Sequence, residues 1–163
     1  RFLNYFTFLP VAEIDALKEA DLQRQGKPEA QAVLAREVTC LVHGKTALQA
    51  AQRITEALFS GELADLSEAD FQQLRLDGLP ASLLPAGFEG IPLTTLLVDC
   101  GLAKSGKQVK DALANSAVWV NGNPVGAEKN MACADVFSDA KAAYGQFYIV
   151  RLGKKNYHLF SLS

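Results

Sequence analysis

Apolar residues recur at helical spacing through residues 1–76, in segments that prolines and glycines separate. Proline disfavours helix at the residue before it, and glycine commonly ends a helix, so each separator marks a predicted helix boundary. The separators are Pro10, Gly26 with Pro28, Gly44 and Gly61. Ser67 and Asp70 then have the spacing of a capping box before a last short helix. This pattern predicts an all-α helical bundle over residues 1–76.

The pattern changes in the middle of the chain. Over residues 77–92 glycines and prolines interrupt the leucines so often that no helical or strand period survives, which predicts a linker. Two helices should follow, one near Leu93 and one over residues 105–115, and Asn121-Gly122 is typical of a β-hairpin turn. Strands are predicted at 117–120, 134–138, 143–151 and 156–162. Residues 93–163 therefore predict two helices with a small, mostly antiparallel sheet, and the whole chain is expected to be α+β.

Composition limits the class of protein. The 163 residues are 49% hydrophobic and 21% charged, which allows a buried core and excludes a disordered chain. No apolar run reaches the ~20 residues of a transmembrane helix, so no membrane partner is expected. The three cysteines are an odd number and lie far apart, which fits neither a disulfide framework nor a zinc site and favours a reducing compartment. Because the first residue is Arg1 and the only methionine is Met131, we expect a piece of a longer protein.

The sequence shows no set of catalytic or metal-binding residues. The motifs GxSxG and HExxH are absent, as are the two common glycine-rich phosphate loops. Of the two histidines, His43 is interpreted as a cation at a helix end. His158 alternates with Tyr157 and Leu159 in a predicted strand and is interpreted as a surface residue. We therefore expect neither catalysis nor a bound metal.

Charge is distributed unevenly along the chain, although the net charge is only −2. Residues 1–90 carry eight Lys and Arg against thirteen Asp and Glu, a net charge of −5. Residues 91–163 carry eight against five, a net charge of +3. A surface that binds polyanions is therefore expected in the second half, if anywhere. A difference of this size also occurs in domains that bind no nucleic acid, so charge alone identifies no partner.

The first cluster of basic residues that could form such a surface lies on the helix over residues 105–115. Its apolar residues share one side, and Lys107 and Lys110 lie on the other. Ser105 at the N-cap would add unsatisfied backbone N–H groups and the helix dipole to those amines, which would make an anion site. The alternative is that Lys107 pairs with Asp111 four residues later and that the face is merely solvated.

The second cluster is the run from Arg151 to Tyr157, in which four of seven residues could donate hydrogen bonds to phosphate. Tyr157 could stack on a base or pack against the sheet. The alternative is an ordinary solvated turn that contains Lys154 and Lys155.

Several segments are also distinctive as motifs. Those of the first half are residues 1–8, Leu41-Val42-His43-Gly44, Leu48-Gln49-Ala50-Ala51, Arg53-Ile54-Thr55-Glu56, Leu58-Phe59-Ser60-Gly61 and residues 66–71. Together they resemble the helical anticodon-binding region of bacterial tyrosyl-tRNA synthetases. The remainder, from Leu93 through Val118-Trp119-Val120-Asn121-Gly122 to Gly153-Lys154-Lys155-Asn156-Tyr157, resembles the S-four-type RNA-binding domain of those enzymes, named after a ribosomal protein. The resemblance covers essentially the whole chain.

The resemblance implies a function. Enzymes of this family attach tyrosine to tRNA(Tyr) with ATP and magnesium, in a catalytic domain that precedes this region and is expected to be absent here. Residues 1–76 would be the anticodon-binding region, 77–92 the linker and 93–163 the S-four-type domain. The chain would bind tRNA, near the anticodon stem and the long variable arm, without aminoacylating it and without a cofactor. It is expected to be a cytoplasmic monomer, from a parent that forms homodimers through the catalytic domain.

Ten positions match the family's RNA-binding pattern residue by residue: Lys104, Ser105, Lys107, Gln108, Lys110, Asn121, Gly122, Lys154, Lys155 and Asn156. Gly106 departs from that pattern, which more often has arginine after the serine, so Lys107 and Lys110 would supply the charge. Two other functions stay open at this point. One is a stand-alone S-four-type RNA-binding protein whose acidic helical half binds a partner, and the other is a protein-interaction module whose acidic helices bind a basic partner. The start at Arg1 favours the ligase.

Overall fold

The computed structural model describes residues 1–128 and 130–162, with all their side chains except those of Asp77 and Asp139. The chain divides into two compact units, Arg1–Thr55 and Glu56–Ser163. The first unit is helical, and the second combines helices with a five-stranded sheet. The α+β class expected from the sequence is therefore confirmed. No helix in the described part of the chain is both long and apolar enough to cross a membrane.

Two of the three helices in the first unit begin directly after a proline. The helices are α1 (Phe2–Phe6), α2 (Val11–Gln23) and α3 (Glu29–Ser60), of which α3 continues into the second unit. Pro10 directly precedes α2 and Pro28 directly precedes α3, because proline has no N–H to leave unsatisfied at a helix start. A small core of Leu3, Ile14 and Val33 packs α1, α2 and the start of α3 together.

Gly44 interrupts α3. Its backbone angles, φ 83° and ψ 170°, lie outside the helical region, in a part of conformational space that only glycine enters without strain. The sequence predicts that one helix ends at Gly44 and that another begins further on. In the structure the two helical segments follow each other directly, so the glycine makes a kink within α3 and no loop is needed. The second segment ends at Ser60, as predicted.

The predicted capping box at Ser67 is confirmed. Ser67 is the N-cap of α4 (Glu68–Gln73), and its Oγ accepts a hydrogen bond from the backbone N–H of Asp70 at 3.3 Å. The Asp70 carboxylate accepts in return from the backbone N–H of Ser67 at 2.8 Å and from its hydroxyl at 2.7 Å. These bonds satisfy a carboxylate that is only 2% exposed. The chain then makes a π-helical turn over Leu74–Gly78.

One five-stranded sheet organises the second unit, in the order β1-β5-β4-β2-β3. Its strands are β1 (Ala81–Leu83), β2 (Val118–Val120), β3 (Asn123–Pro124), β4 (Phe147–Leu152) and β5 (Asn156–Ser161). β1 runs parallel to β5, and the other pairs are antiparallel. The helices of this unit after α4 are α5 (Leu93–Asp99), α6 (Gly106–Ala114) and α7 (Cys133–Val136). The core between helices and sheet contains Leu97, Val109, Leu113, Tyr148 and Val150, all fully buried.

The structure differs from the linker expected over residues 77–92. Ala81–Leu83 form an edge strand of the sheet, and Leu84 follows it into the core, where its N–H donates to the carbonyl of Ser161 at 2.9 Å. The compact second unit also begins at Glu56, well before that segment. A strand of three residues has no measurable period, and its partner lies 78 positions later in the chain, where Ala81 pairs with Leu159. Only its pairing with β5 in the folded protein reveals this strand.

The strand predicted over residues 134–138 is wrong, because Cys133–Val136 form α7. The carboxylate of Asp135 accepts a hydrogen bond from the N–H of Ala132 at 3.1 Å and closes the first turn. The buried residues Cys133, Val136 and Phe137 have the i, i+3, i+4 spacing of a helix face. Over so few residues a helical and a strand pattern cannot be told apart.

The predicted hairpin at Asn121-Gly122 is confirmed between β2 and β3. Asn121 has φ 46° and Gly122 has φ 80°. Two consecutive positive values are the signature of the type I′ turn, whose twist matches that of the flanking strands.

The prediction that His158 lies on the surface is wrong. His158 is 4% exposed, and its Nε2 is 2.7 Å from Oγ of Ser82 on β1. Its ring also packs on Phe160, with the centroids 4.6 Å apart. Because β1 pairs with the free side of β5, β5 is an interior strand of the sheet and Ser82 of β1 lies beside His158. Burial lowers the pKa of His158 from its usual value of 6.5.

The lowered pKa of His158 predicts how stability depends on pH. Below pH 6.5 the unfolded chain protonates this imidazole while the folded chain keeps it neutral, so the unfolded state binds more protons. The free energy of unfolding should therefore be greatest above pH 6.5 and decrease as the pH falls from 6.5 towards the folded-state pKa. Urea unfolding of the wild type and of His158→Gln across this range measures the effect, which the variant should lose.

His43→Gln is the matched control for this experiment, because His43 is the other histidine of the chain and is exposed. It should retain the decrease in stability that the wild type shows. Equal pH dependence in the wild type and His158→Gln would contradict the assignment.

Candidate nucleic-acid interface

Helix α6 begins with a cap that two of the predicted site residues build. Ser105 is the N-cap, and its Oγ accepts a hydrogen bond from the N–H of Gln108 at 3.3 Å. The side-chain Oε1 of Gln108 accepts from the N–H of Lys104 at 2.8 Å. Both side chains therefore already satisfy backbone N–H groups at the start of the helix. Their observed role is to fix where α6 begins.

The apolar face of α6 sets the direction of its lysines. Val109 and Leu113 are fully buried in the core, as the predicted amphipathic pattern requires. Lys107 and Lys110 are exposed on the other side, and Lys104 is exposed just before the helix. Among the side chains that the structure describes, none is an ion-pair partner of these three lysines. The alternative pairing of Lys107 with Asp111 is therefore not observed, and the amines are available to a ligand.

The turn between β4 and β5 presents the second group of cations. Gly153 takes φ 69° at the turn, Lys154 and Lys155 follow it, and Asn156 starts β5. The last three of these residues are exposed. A shallow pocket of about 300 Å³ is lined by Lys155 and Asn156 together with Leu102 from the loop before α6. The structure thus brings the predicted turn residues and the loop that leads into α6 onto neighbouring surface.

The hairpin residues do not join these lysines. Asn121 follows β2 and lies beside Ile149. Ile149 is three positions before Leu152, the last residue of β4, so Asn121 lies about 10 Å from the turn that carries the lysines. Its side-chain Nδ2 donates to the carbonyls of Lys141 at 2.8 Å and Phe147 at 3.1 Å, and its Oδ1 accepts from the N–H of Ile149 at 2.7 Å. This side chain therefore holds the turn against β4 and against Lys141 in the segment before it.

Gly122 is held against the end of α3. A Cβ atom at Gly122 would lie 2.6 Å from the carbonyl oxygen of Gly61, a contact that requires the backbone to move. The absence of a side chain therefore allows a close approach of two backbone segments, in addition to the positive φ of the turn. This is a structural requirement that the resemblance to RNA-binding domains does not reveal.

Tyr157 is also engaged within the second unit. Its hydroxyl donates a hydrogen bond of 2.6 Å to the carbonyl of Leu58, near the end of α3. The hydroxyl is therefore used inside the second unit, where it joins the start of β5 to the end of α3.

Arg151 is the functional candidate that the residue-by-residue comparison leaves out. Its guanidinium carbon lies 4.5 Å from the ring centroid of Trp119, which is its partner across the β2–β4 pair. Its Nε is buried and has no hydrogen-bond partner in the part of the chain that the structure describes. In the sequence Arg151 lies in one predicted strand and Trp119 in another. That the two side chains are neighbours follows only from the register of the two strands.

Metal ligands and thiols are the remaining reactive groups to place in the described residues. No group of three or more His, Cys, Asp or Glu side chains there could hold a metal ion. All three cysteines are free. Burial raises the pKa of the Cys133 thiol to about 11 and also raises that of Cys100, so both are neutral near pH 7. The arrangement offers cations, amides and aromatic rings, which are groups that bind nucleic acid without reacting.

Comparisons with known proteins place relatives of this chain in one enzyme family. The family model of the tyrosine–tRNA ligase SYY-like C-terminal domain matches residues 70–160, and that of the class I tRNA synthetases for tryptophan and tyrosine matches residues 1–60. The tyrosine–tRNA ligase of Dechloromonas aromatica is 47% identical over 161 residues, which are 99% of this chain and 36% of the relative. Those of Klebsiella pneumoniae and Neisseria meningitidis serogroup A are 47% and 43% identical over 98% of the chain. The chain spans about a third of the length of these relatives.

The contact between Gly122 and Gly61 predicts an unequal effect of two glycine substitutions. Gly145→Ala places a side chain at φ 70° with nothing within 4 Å and should destabilise by about 1–2 kcal/mol. Gly122→Ala adds a backbone clash to the same strain and should cost roughly 2–5 kcal/mol. Urea unfolding of both variants measures the difference. Equal losses would show that the approach to Gly61 is not a constraint.

Proposed function

The chain belongs to the tyrosine–tRNA ligase family, and on that basis we propose that its second unit binds tRNA. The observation that carries the proposal is a group of exposed lysines that no carboxylate in the described residues neutralises by an ion pair. The group consists of Lys104, Lys107, Lys110, Lys154 and Lys155. Such amines attract phosphates and release the counterions that surround the nucleic acid.

The lysines would recognise the RNA by its backbone. Lys107 and Lys110 are three residues apart on α6, about 4.5 Å along the helix axis, so both amines lie on one side of the helix. Ammonium groups are point charges that contact phosphates without reading bases, and they position an RNA more than they specify its sequence. Asn156, exposed beside Lys155, adds a neutral donor to the same surface. Ser105, Gln108, Asn121 and Gly122 would support this surface by shaping α6 and the hairpin.

The wider activity is proposed for the whole protein. It would attach tyrosine to tRNA(Tyr) with ATP and magnesium, act in the cytoplasm, and form a homodimer outside these 163 residues. The names of the relatives support the ligase activity, and they do not favour the stand-alone RNA-binding protein as an alternative. The chain described here would be a monomer that contributes recognition of the tRNA, near the anticodon stem and the long variable arm. None of the described residues is assigned a role in the chemical step.

The electrostatic mechanism predicts a strong dependence of tRNA binding on salt. If the chain contacts roughly four to six phosphates, the logarithm of the association constant should fall with the logarithm of salt concentration with a slope of about −3 to −5. Fluorescence anisotropy of labelled tRNA at several potassium chloride concentrations measures the slope. A slope near zero would contradict the proposal.

Removing two of the amines tests which residues supply the charge. Lys107→Ala combined with Lys110→Ala should reduce the magnitude of the negative slope by about 1.4 to 1.8. The double variant should also weaken binding to a similar extent for different RNA sequences. The free energy of unfolding should change by at most a few tenths of a kcal/mol, because both side chains are exposed and unpaired and alanine favours helix.

Asp111→Ala is the matched control on the same helix, since it changes an exposed residue and makes the face more positive. Its affinity for tRNA should be equal to or greater than that of the wild type. An unchanged slope in the double lysine variant would exclude α6 from the interface and leave only the turn with Lys154 and Lys155.

A further inference from the structure

A second feature, a groove next to the lysines, combines cations with aromatic rings. It has a volume of about 440 Å³ and is lined by Phe59, Asn115, Ser116, Ala117, Trp119, Arg151, Gly153 and Lys154. Two of these residues are cationic, two are aromatic, and none is acidic. The volume lies in the range of small-molecule sites, so one nucleotide is an occupant of suitable size. Lys154 belongs both to this groove and to the group of lysines proposed to contact tRNA.

The guanidinium of Arg151 is held in place but makes no hydrogen bond within the described residues. Its contact with Trp119, at 4.5 Å from the ring centroid, keeps the planar group in one position. Arginine has five N–H donors and no acceptor. The Nε of Arg151 is buried and has no partner among the described residues, so the donors that can reach a ligand in the groove are the four N–H groups of its two terminal nitrogens. A guanidinium with unused donors in a fixed position suits a phosphate, which it binds through two parallel hydrogen bonds.

Phe59 supplies an aromatic surface that folding does not explain. It lies in the last turn of α3, and 79% of its side chain is exposed. Burial of a phenylalanine ring stabilises a fold, and a ring as exposed as this one gains little of that stabilisation. An exposed ring beside cations is the arrangement with which proteins stack an unpaired base while they hold its phosphate.

We propose that this groove binds one unpaired nucleotide of the tRNA, with the base on Phe59 and the phosphate between Arg151 and Lys154. The proposal rests on the function proposed above and adds a feature of the RNA that the lysines alone cannot recognise. In a duplex the bases are paired and stacked inside the helix, so only an unpaired nucleotide can place a base on Phe59. The groove would therefore distinguish single-stranded from paired regions of the RNA.

The single tryptophan of the chain makes the groove observable. Trp119 is the only tryptophan among the 163 residues and lies in the groove under Arg151. Titration of the whole chain with a single-stranded oligouridylate should change the fluorescence of Trp119, whereas a blunt-ended RNA duplex should leave it unchanged. An equal change with both RNAs would overturn the proposal, since it would mean that the groove responds to phosphates alone.

Phe59→Ala tests the stacking step directly. The loss of one stacked base should weaken binding of oligouridylate and tRNA roughly 5- to 150-fold and leave duplex binding within about twofold. Phe8→Ala is the matched control, because Phe8 is 89% exposed and does not line the groove. Both side chains are exposed, so the variants should unfold at the urea concentration of the wild type. Arg151→Lys, which keeps the charge without the planar fork, should also weaken binding of the oligouridylate.

The possible outcomes separate this proposal from tRNA binding itself. If the double variant of Lys107 and Lys110 binds tRNA weakly and Phe59→Ala binds like Phe8→Ala, the nucleotide site is overturned while tRNA binding stands. If the wild type binds neither tRNA nor oligouridylate at low salt, both proposals fail. If it binds oligouridylate with the expected effect of Phe59→Ala but does not bind tRNA, the groove binds single strands and the partner is a different RNA.

Discussion

The antiparallel pairing of β4 with β5 determines where the candidate RNA-binding groups of the turn and the groove lie. Six residue pairs join the strands, and the last of them is Leu152 with Asn156, so the three residues between must form the turn that carries Lys154 and Lys155. The pairing of β4 with β2 in turn sets Arg151 beside Trp119. Nearly every residue of β4 is buried, and burial of apolar area at about 25 cal/mol per Å² makes a shift of this register very costly.

Hydrogen bonding divides the polar residues of this unit into two groups. Asn121 and Gln108 bind backbone groups with their side chains, and His158 contacts Ser82 inside the protein. If such a side chain turned to a ligand, it would leave buried or backbone groups unsatisfied, at a cost of about 1–3 kcal/mol each. When an exposed lysine binds a ligand, no buried or backbone group loses its hydrogen-bond partner. The candidate interface is therefore formed by groups whose removal leaves the fold intact.

Lysine and arginine would contribute differently to such an interface. The lysines are exposed point charges whose attraction reaches a Debye length of about 8 Å at physiological salt, so in the proposed interface they would act during approach of the RNA. Arg151 lies over the ring of Trp119, so in the proposed site it would act only on a group that has entered the groove. General attraction to phosphate and local selection of an unpaired nucleotide can therefore lie on adjacent parts of one surface.

Local patterns in the sequence are sufficient to predict the features whose physical cause is local. The helix boundaries at the prolines, the capping box at Ser67, the amphipathic face of α6 and the hairpin at Asn121-Gly122 all depend on residues a few positions apart, and each is present in the structure. Tertiary structure alone decided the rest. The strand at Ala81–Leu83, the burial of His158 and the position of Arg151 over Trp119 depend on pairing between distant residues. A side chain's neighbours across a sheet are set by register, and no periodicity along the chain contains that information.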